Sequence, residues 1–164
     1  MSKSSPLLCC LLLAACGAPP LARSPAQPGE RVGTYDGRAV AVAYANGPRF
    51  ALWMRELQAA HRAAKERGDQ EEMRVLERRA AAQQRRFREQ TFEGADIDDI
   101  LGLIQEELPA VRAAVDVGRL EKVNLARVDG VVTVDVTDRL VDLFEPSEQG
   151  RKWIRDVRGL PLLR

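Results

Sequence analysis

Two amphipathic helical stretches separated only by Gly68-Asp69 constrain this 164-residue chain more than any other feature. From Arg49 to Arg67, Trp53, Leu57, Ala60 and Ala64 recur at three- and four-residue intervals and form one apolar stripe. From Gln70 to Gln90, Met73, Leu76, Ala80, Gln83 and Phe87 repeat that spacing. Gly68 is a helix stop and Asp69 a new N-cap. So short a connection requires an antiparallel hairpin. The stripes are narrow and rich in alanine, which suits coiled-coil packing rather than a thick core. At the α-helical rise each arm is about 27–32 Å long. Trp53, Leu57, Met73, Leu76 and Phe87 are the large apolar residues of this seam and the candidate surface for a client or partner.

The flanks predict a helix-rich α+β fold, in which the hairpin projects from a small sheet body. Val32-Gly33-Thr34-Tyr35 reads as a short strand, and Asp36 can cap the helix after it. Residues 37–45 fit either state: Val40, Val42 and Tyr44 alternate as in a strand, whereas Val40, Ala43 and Tyr44 share a helix face. Asn46-Gly47-Pro48 breaks whatever precedes it, and Thr91 to Ala95 reads as a loop. Asp96 is then expected to cap a third helix, with Ile97, Ile100, Leu101, Ile104, Leu108, Val111 and Val115 on one wide face. Leu120 to Arg127 and Val131 to Val134 read as strands around Val128-Asp129-Gly130, because Asp-Gly favours positive φ in a tight turn. Thr137 is expected to cap a short helix over Asp138 to Phe144, and Ser147 a last one through Val157. Leu160, Leu162 and Leu163 form an apolar tail expected to pack onto the body.

The N-terminus carries a different kind of information. Lys3 precedes an apolar run from Leu7 to Leu13, and Leu13-Ala14-Ala15-Cys16 follows as a lipobox. The run is too short to span a bilayer, which takes about 20 apolar residues. Residues 1–15 are therefore expected to be a lipoprotein signal peptide, with Cys16 acylated on its sulfur. Residues 16–30 are rich in Pro, Ala, Gly and Ser and read as a flexible tether. Residues 31–164 are expected to form the folded domain. The expected location is the cell envelope, lipid-anchored and facing the periplasm. Gly17 lacks the acidic character that commonly retains lipoproteins in an inner membrane, so the outer membrane is favoured.

Composition narrows the chemistry. Lys3 is the only charge in the leader, so 24 of the 25 basic side chains remain against 24 acidic ones. A formally neutral domain argues against nucleic acid as a partner. The chain has three cysteines, Cys9, Cys10 and Cys16, and all fall in or at the end of the leader. Thiol catalysis and cysteine-ligated metal are thus not expected of the mature domain. His61 is the single histidine, on a helix with no second ligand nearby, and reads as a solvated or half-buried side chain. Asp96, Asp98 and Asp99 lack the alternate spacing and central glycine of a calcium loop. They read as capping and helix-dipole residues. Arg78, Arg79, Arg85, Arg86 and Arg88 form a basic stretch that could face anionic lipid or an acidic client, but Glu71, Glu72, Glu77 and Glu89 lie at helical spacing for pairing and make a solvated face the reading. No catalytic residues, metal or cofactor are expected.

The opening Val32-Gly33-Thr34-Tyr35-Asp36 and the ending Val131-Val132-Thr133-Val134-Asp135-Val136-Thr137-Asp138 resemble two stretches of the OmpH-like (Skp) family of periplasmic chaperones. The first matches that family's first strand and its turn into a helix. The second matches its last strand and the Asp-(Ile/Val)-Thr-Asp cap of its C-terminal helix. The resemblance implies a sheet body that trimerises, helical arms around a client cavity, and ATP-independent holding of unfolded outer-membrane or other envelope proteins. The chain departs from the family in its lipid anchor, its much shorter arms and the segment Ser147 to Arg164. The other reading kept here is a structural or interaction lipoprotein with one fixed envelope partner.

Overall fold

A computed structural model describes residues 31–123 and 131–161. The chain is helix-rich α+β, and each element follows from its local sequence. Strand β1 (Arg31–Tyr35) buries Val32, Gly33 and Tyr35. Asp36 ends it and accepts from the backbone N–H of Arg38, which starts α1 (Gly37–Ala45). The ambiguous segment is therefore a helix. All of Gly37 to Val42 and also Ala43 are buried, so α1 has no polar face to impose a 3.6-residue period.

Gly47 ends α1 where a Cβ would lie 2.2 Å from the backbone oxygen of Phe144, so only glycine fits. Pro48 opens α2 (Pro48–Arg67), in keeping with the preference for proline in a first turn. Gly68 closes α2 at φ 68° in the left-handed region, and Asp69 caps α3 (Gln70–Phe92) by accepting from Glu72 N–H. The two helices pair antiparallel: Trp53 meets Arg79 near the root, His61 meets Glu77 midway, and Arg67 meets Glu72 at the tip. Helix α3 runs through Thr91 and Phe92, where a loop was expected.

The expected long third helix is interrupted. Helix α4 (Asp98–Leu101) passes into a 3-10 turn (Gly102–Ile104), and α5 (Leu108–Val115) follows. Pro109 sits in the first turn of α5, and a proline deeper in a continuous helix would remove a hydrogen bond and clash with the preceding turn. The N-cap of α4 is Ile97 and makes no side-chain cap bond; Asp96 instead pairs with Arg86 at 2.8 Å.

The sheet also differs from expectation. Strands β2 (Arg119–Lys122) and β3 (Val132–Asp135) do not form an antiparallel hairpin. Each runs parallel to β1, on opposite sides, in the order β2-β1-β3. Strand β2 reads Arg-Leu-Glu-Lys and has no apolar alternation of its own, so its partner is set by the neighbouring strand and not by an adjacent turn. The expected turn at 128–130 and residues 124–127 lie outside the described residues.

Helix α6 (Thr137–Asp142) begins one residue early, with Val136 as N-cap. Thr137 is not the cap. Its N–H and hydroxyl both donate to Asp135 Oδ1, at 2.8 and 2.6 Å, while its hydroxyl oxygen accepts from Asp36 N–H at 3.0 Å. One threonine thus joins the ends of β1 and β3. Ser147 caps α7 (Glu148–Arg158) by accepting from Gly150 N–H.

The core gathers α1, α4, the 3-10 turn, α6 and α7, with Val40, Ile100, Ile104, Leu140 and Ile154 among its buried side chains. The side chain of Arg38 is only 7% exposed. It is satisfied by the Asp36 carboxylate at 2.8 Å and by the carbonyls of Leu160 and Pro161 at 3.2 and 3.0 Å. That bidentate pairing, with two backbone carbonyls on Nη1, is the kind of arrangement a buried guanidinium requires. It ties the chain after α7 to the start of α1.

Candidate functional site

At the root of the hairpin, four helices leave an open cavity of about 750 Å³. Helix α2 contributes Phe50, Trp53 and Met54, and α3 contributes Ala80, Phe87 and Phe92. The C-terminal end of α1 adds Val42 and Ala45, and Trp153 and Val157 of α7, with Leu160 just beyond it, close the remaining side. Both tryptophans and three of the four phenylalanines of the chain line this space. Phe50 stacks on Trp53 with centroids 5.5 Å apart, and Tyr44 meets Phe50 and Phe144 edge-on at 5.5 and 5.9 Å. These geometries are the favourable ones for aromatic pairs, so the wall is braced from behind. Burial, and secondarily the charge of Asp99, raise the Tyr44 phenol above its ordinary pKa.

Phe92, Trp153 and Leu160 line the cavity yet are about half exposed, at 53, 48 and 51%. They mark its mouth. Large apolar side chains clustered around an opening are a recognised mark of a binding surface. The cavity volume falls within the usual range for small-ligand sites, about 300–1,000 Å³. Asp156 is the sole ionisable residue among those lining the cavity, and it makes no ion pair among the described residues. Thr91 also borders it, but its hydroxyl oxygen is sealed off and has no hydrogen-bond partner among the described residues.

The five seam residues proposed from the sequence are spread along the hairpin, whose two spaces share Met54 and Ala80. Trp53 and Phe87 enter the large cavity. Leu57 and Leu76 line a second, smaller space of about 310 Å³ farther along the hairpin. Met73 lines neither. Phe50, Phe92, Trp153 and Leu160 were not singled out as site residues by periodicity. The available signal was the concentration of scarce aromatic residues near helix ends, and the docking of α7 beside α1 cannot be read from local pattern.

The charged candidates have structural partners. His61 Nε2 lies 3.3 Å from Glu77 across the seam. On α3, Arg78 pairs with Glu71, Arg85 with Glu89 and Arg88 with Glu93, while Arg86 reaches Asp96 and Asp99. Arg79 lies over the ring of Trp53, 5.6 Å from its centroid. The basic stretch is thus a paired, solvated face, and pairs of this kind contribute roughly 0–1 kcal/mol each. Gln90, buried, donates to Asp99 Oδ1 at 2.7 Å and to the Asp96 carbonyl at 3.2 Å, which fastens the acidic cluster to α3. Hydrogen bonding from Arg86 holds the Asp96 carboxyl below its ordinary pKa of 3.8, against the opposing effect of burial.

Lys122 ends β2 and donates to the carbonyls of Gly94 and Ala95, both at 2.8 Å. Burial pushes its ammonium below the usual lysine pKa. It anchors the loop after α3. Among the described residues no group of His, Cys, Asp and Glu is arranged to hold a metal ion, and no helix is long and apolar enough to cross a membrane. No family model, curated protein or solved structure matches the chain.

Proposed function

We propose that the protein is a non-catalytic envelope binding protein that holds unfolded or partly folded envelope proteins without ATP, in the manner of the OmpH-like chaperones. The observation that carries this reading is the mouth of the aromatic cavity, where Phe92, Trp153 and Leu160 stand half exposed at the root of the hairpin. Apolar side chains of an unfolded client would enter by burial alone, worth about 25 cal/mol per Å² of apolar surface removed from water. The short arms suit small or partly folded clients.

Self-association belongs to the same reading, and a trimer is what the family resemblance adds. Both outer strands of the sheet, β2 and β3, carry an edge that pairs with no third strand among the described residues. Val132 on β3 is exposed. Exposed edges invite pairing with another chain. Acylation at Cys16 would hold the protein on a membrane facing the periplasm, with two or three chains needed for firm attachment.

The test adds the protein to an unfolded outer-membrane β-barrel and follows aggregation by light scattering. The wild type should slow it, and the double variant Phe92→Ser, Trp153→Ser should lose most of that effect while keeping its helical circular dichroism. Cys16→Ser should abolish partition into detergent. A monomer that leaves aggregation unchanged would instead favour a structural lipoprotein with one fixed envelope partner.

A further inference from the structure

The lining of the aromatic cavity is neutral except at one residue, and that residue carries a negative charge. We infer that the cavity is a binding site for a single-chain organic cation: a hydrocarbon tail that ends in an ammonium group. This inference does not rest on the client reading, because a cavity can hold a small ligand whether or not unfolded protein is bound.

Three observations lead to it. The wall built by α2 and α3 is apolar, with Phe50, Trp53 and Phe87, and a hydrocarbon tail fills such a space by contact alone. The charge of the lining has one sign. Asp156 is its sole ionisable residue and makes no ion pair among the described residues, and the other polar groups there, among them Gln83 and Gln84, are uncharged. Lys152 and Arg155 lie on the same helix but do not line the cavity, and neither does Arg79, whose guanidinium lies over the ring of Trp53. An anionic head group would therefore meet only like charge at the lining, whereas a cation would meet its complement. The third observation is the neighbour of that carboxylate. Trp153 and Asp156 are three residues apart on α7, so they share one face of the helix, and both line the cavity. An indole ring attracts an ammonium group through its negative face, and a carboxylate beside it supplies the counter-charge. Both residues are exposed at the mouth, so the head group keeps part of its water while the tail is buried, and the cost of removing a charge from water is largely avoided.

Trp53 and Trp153 are the only tryptophans in the chain, and both line the cavity, so all tryptophan emission comes from its walls. The experiment titrates the full chain with 11-bromoundecyl-trimethylammonium, whose bromine quenches tryptophan, below the concentration at which it self-associates. Parallel arms use neutral 11-bromoundecanol and the 11-bromoundecanoate anion. The cation should quench saturably with one site per chain, and the anion should bind about ten-fold more weakly. Asp156→Asn, at an exposed position, should weaken the cation about five-fold and leave the alcohol within about two-fold of wild type. Glu148→Gln removes an exposed carboxylate of α7 that does not line the cavity, and should change neither. A second measurement needs no variant: raising salt from about 20 to about 500 mM should weaken the cation and spare the alcohol, because a charge pair at the mouth is screened. Quenching that rises linearly without saturating would overturn the inference. So would an anion bound as tightly as the cation, an equal loss of cation and alcohol in Asp156→Asn, or an equal loss of the cation in Glu148→Gln. Saturable binding of the cation with no protection of an unfolded client would leave this inference standing while removing the client reading, and protection without saturable binding would do the reverse.

Discussion

Helix α1 and the α2–α3 hairpin are both alanine-rich, yet they are stabilised in opposite ways. In α1, Ala39, Val40, Ala41 and Ala43 are completely buried, because α3, α6 and α7 all pack around it. In α2 only Leu57 and Ala64 are buried, and in α3 only Gln90 and Thr91. The hairpin rests on a one-sided seam, two good caps and a set of surface ion pairs. Small side chains that leave α1 without a polar face let its neighbours approach closely. The same residues in the hairpin leave a thin contact with water on both sides. Stability should therefore be concentrated in the body, with the hairpin a separately yielding part.

The sharpest way to break this contrast is a charge at the centre of α1. Val40→Asp would bury a carboxylate with no partner, at a cost of several kcal/mol. Against a total stability of about 5–15 kcal/mol, the chain should lose its cooperative thermal transition. A variant that melted within a few degrees of wild type would show that α1 is not sealed. The same change in the seam should do much less. Leu76 is only half-buried, so Leu76→Asp should cost about 1–3 kcal/mol. Hydrogen exchange should then speed up along α2 and α3 while α1 amides keep their protection. Equal loss in both places would mean that body and hairpin unfold as one unit.

The smallest effect lies where the two regions meet. The pKa of Asp96 is lower in the folded protein than its ordinary 3.8, chiefly through the hydrogen bond from Arg86 on α3. A folded value below the unfolded one gives stabilisation that is present above pH 3.8 and lost as pH falls through the folded value. Asp96 is largely exposed, so the effect is small. Asp96→Asn should flatten the acid limb of a plot of melting temperature against pH and leave the neutral region almost unchanged. An acid limb identical to wild type would remove Asp96 from the account.

What could be read from the sequence was whatever rests on neighbouring residues. The hairpin, its Gly68 stop, the Asp36, Asp69 and Ser147 caps and the break at Gly47-Pro48 all follow from local chemistry. Three features did not. Helix α1 looked ambiguous because burial on every side removes its period. The interruption between Leu101 and Leu108 was hidden by a continuous apolar face, although Pro109 was there to signal a new helix start. The pairing of β2 and β3 with β1 was hidden because four-residue strands carry too little pattern to choose a distant partner over a nearby turn. The site was half legible for the same reason: Trp53 and Phe87 lie in a periodic stripe, whereas Trp153 and Leu160 reach the cavity only through tertiary docking.

The position of β1 also fixes an order of events. It is the first described element and the centre of the sheet, but Arg31 meets Asp116 across 85 residues, and Asp36 meets Thr137 across 101. Chain closure over such separations is slow compared with forming a helical hairpin. In a chain that emerges from its N-terminus, α2 and α3 can pair as soon as both are out, while β1 waits with both edges bare until residues near the C-terminus arrive. The first described strand therefore waits longest for its partners, and for that interval this protein is itself an unfolded chain with an open strand.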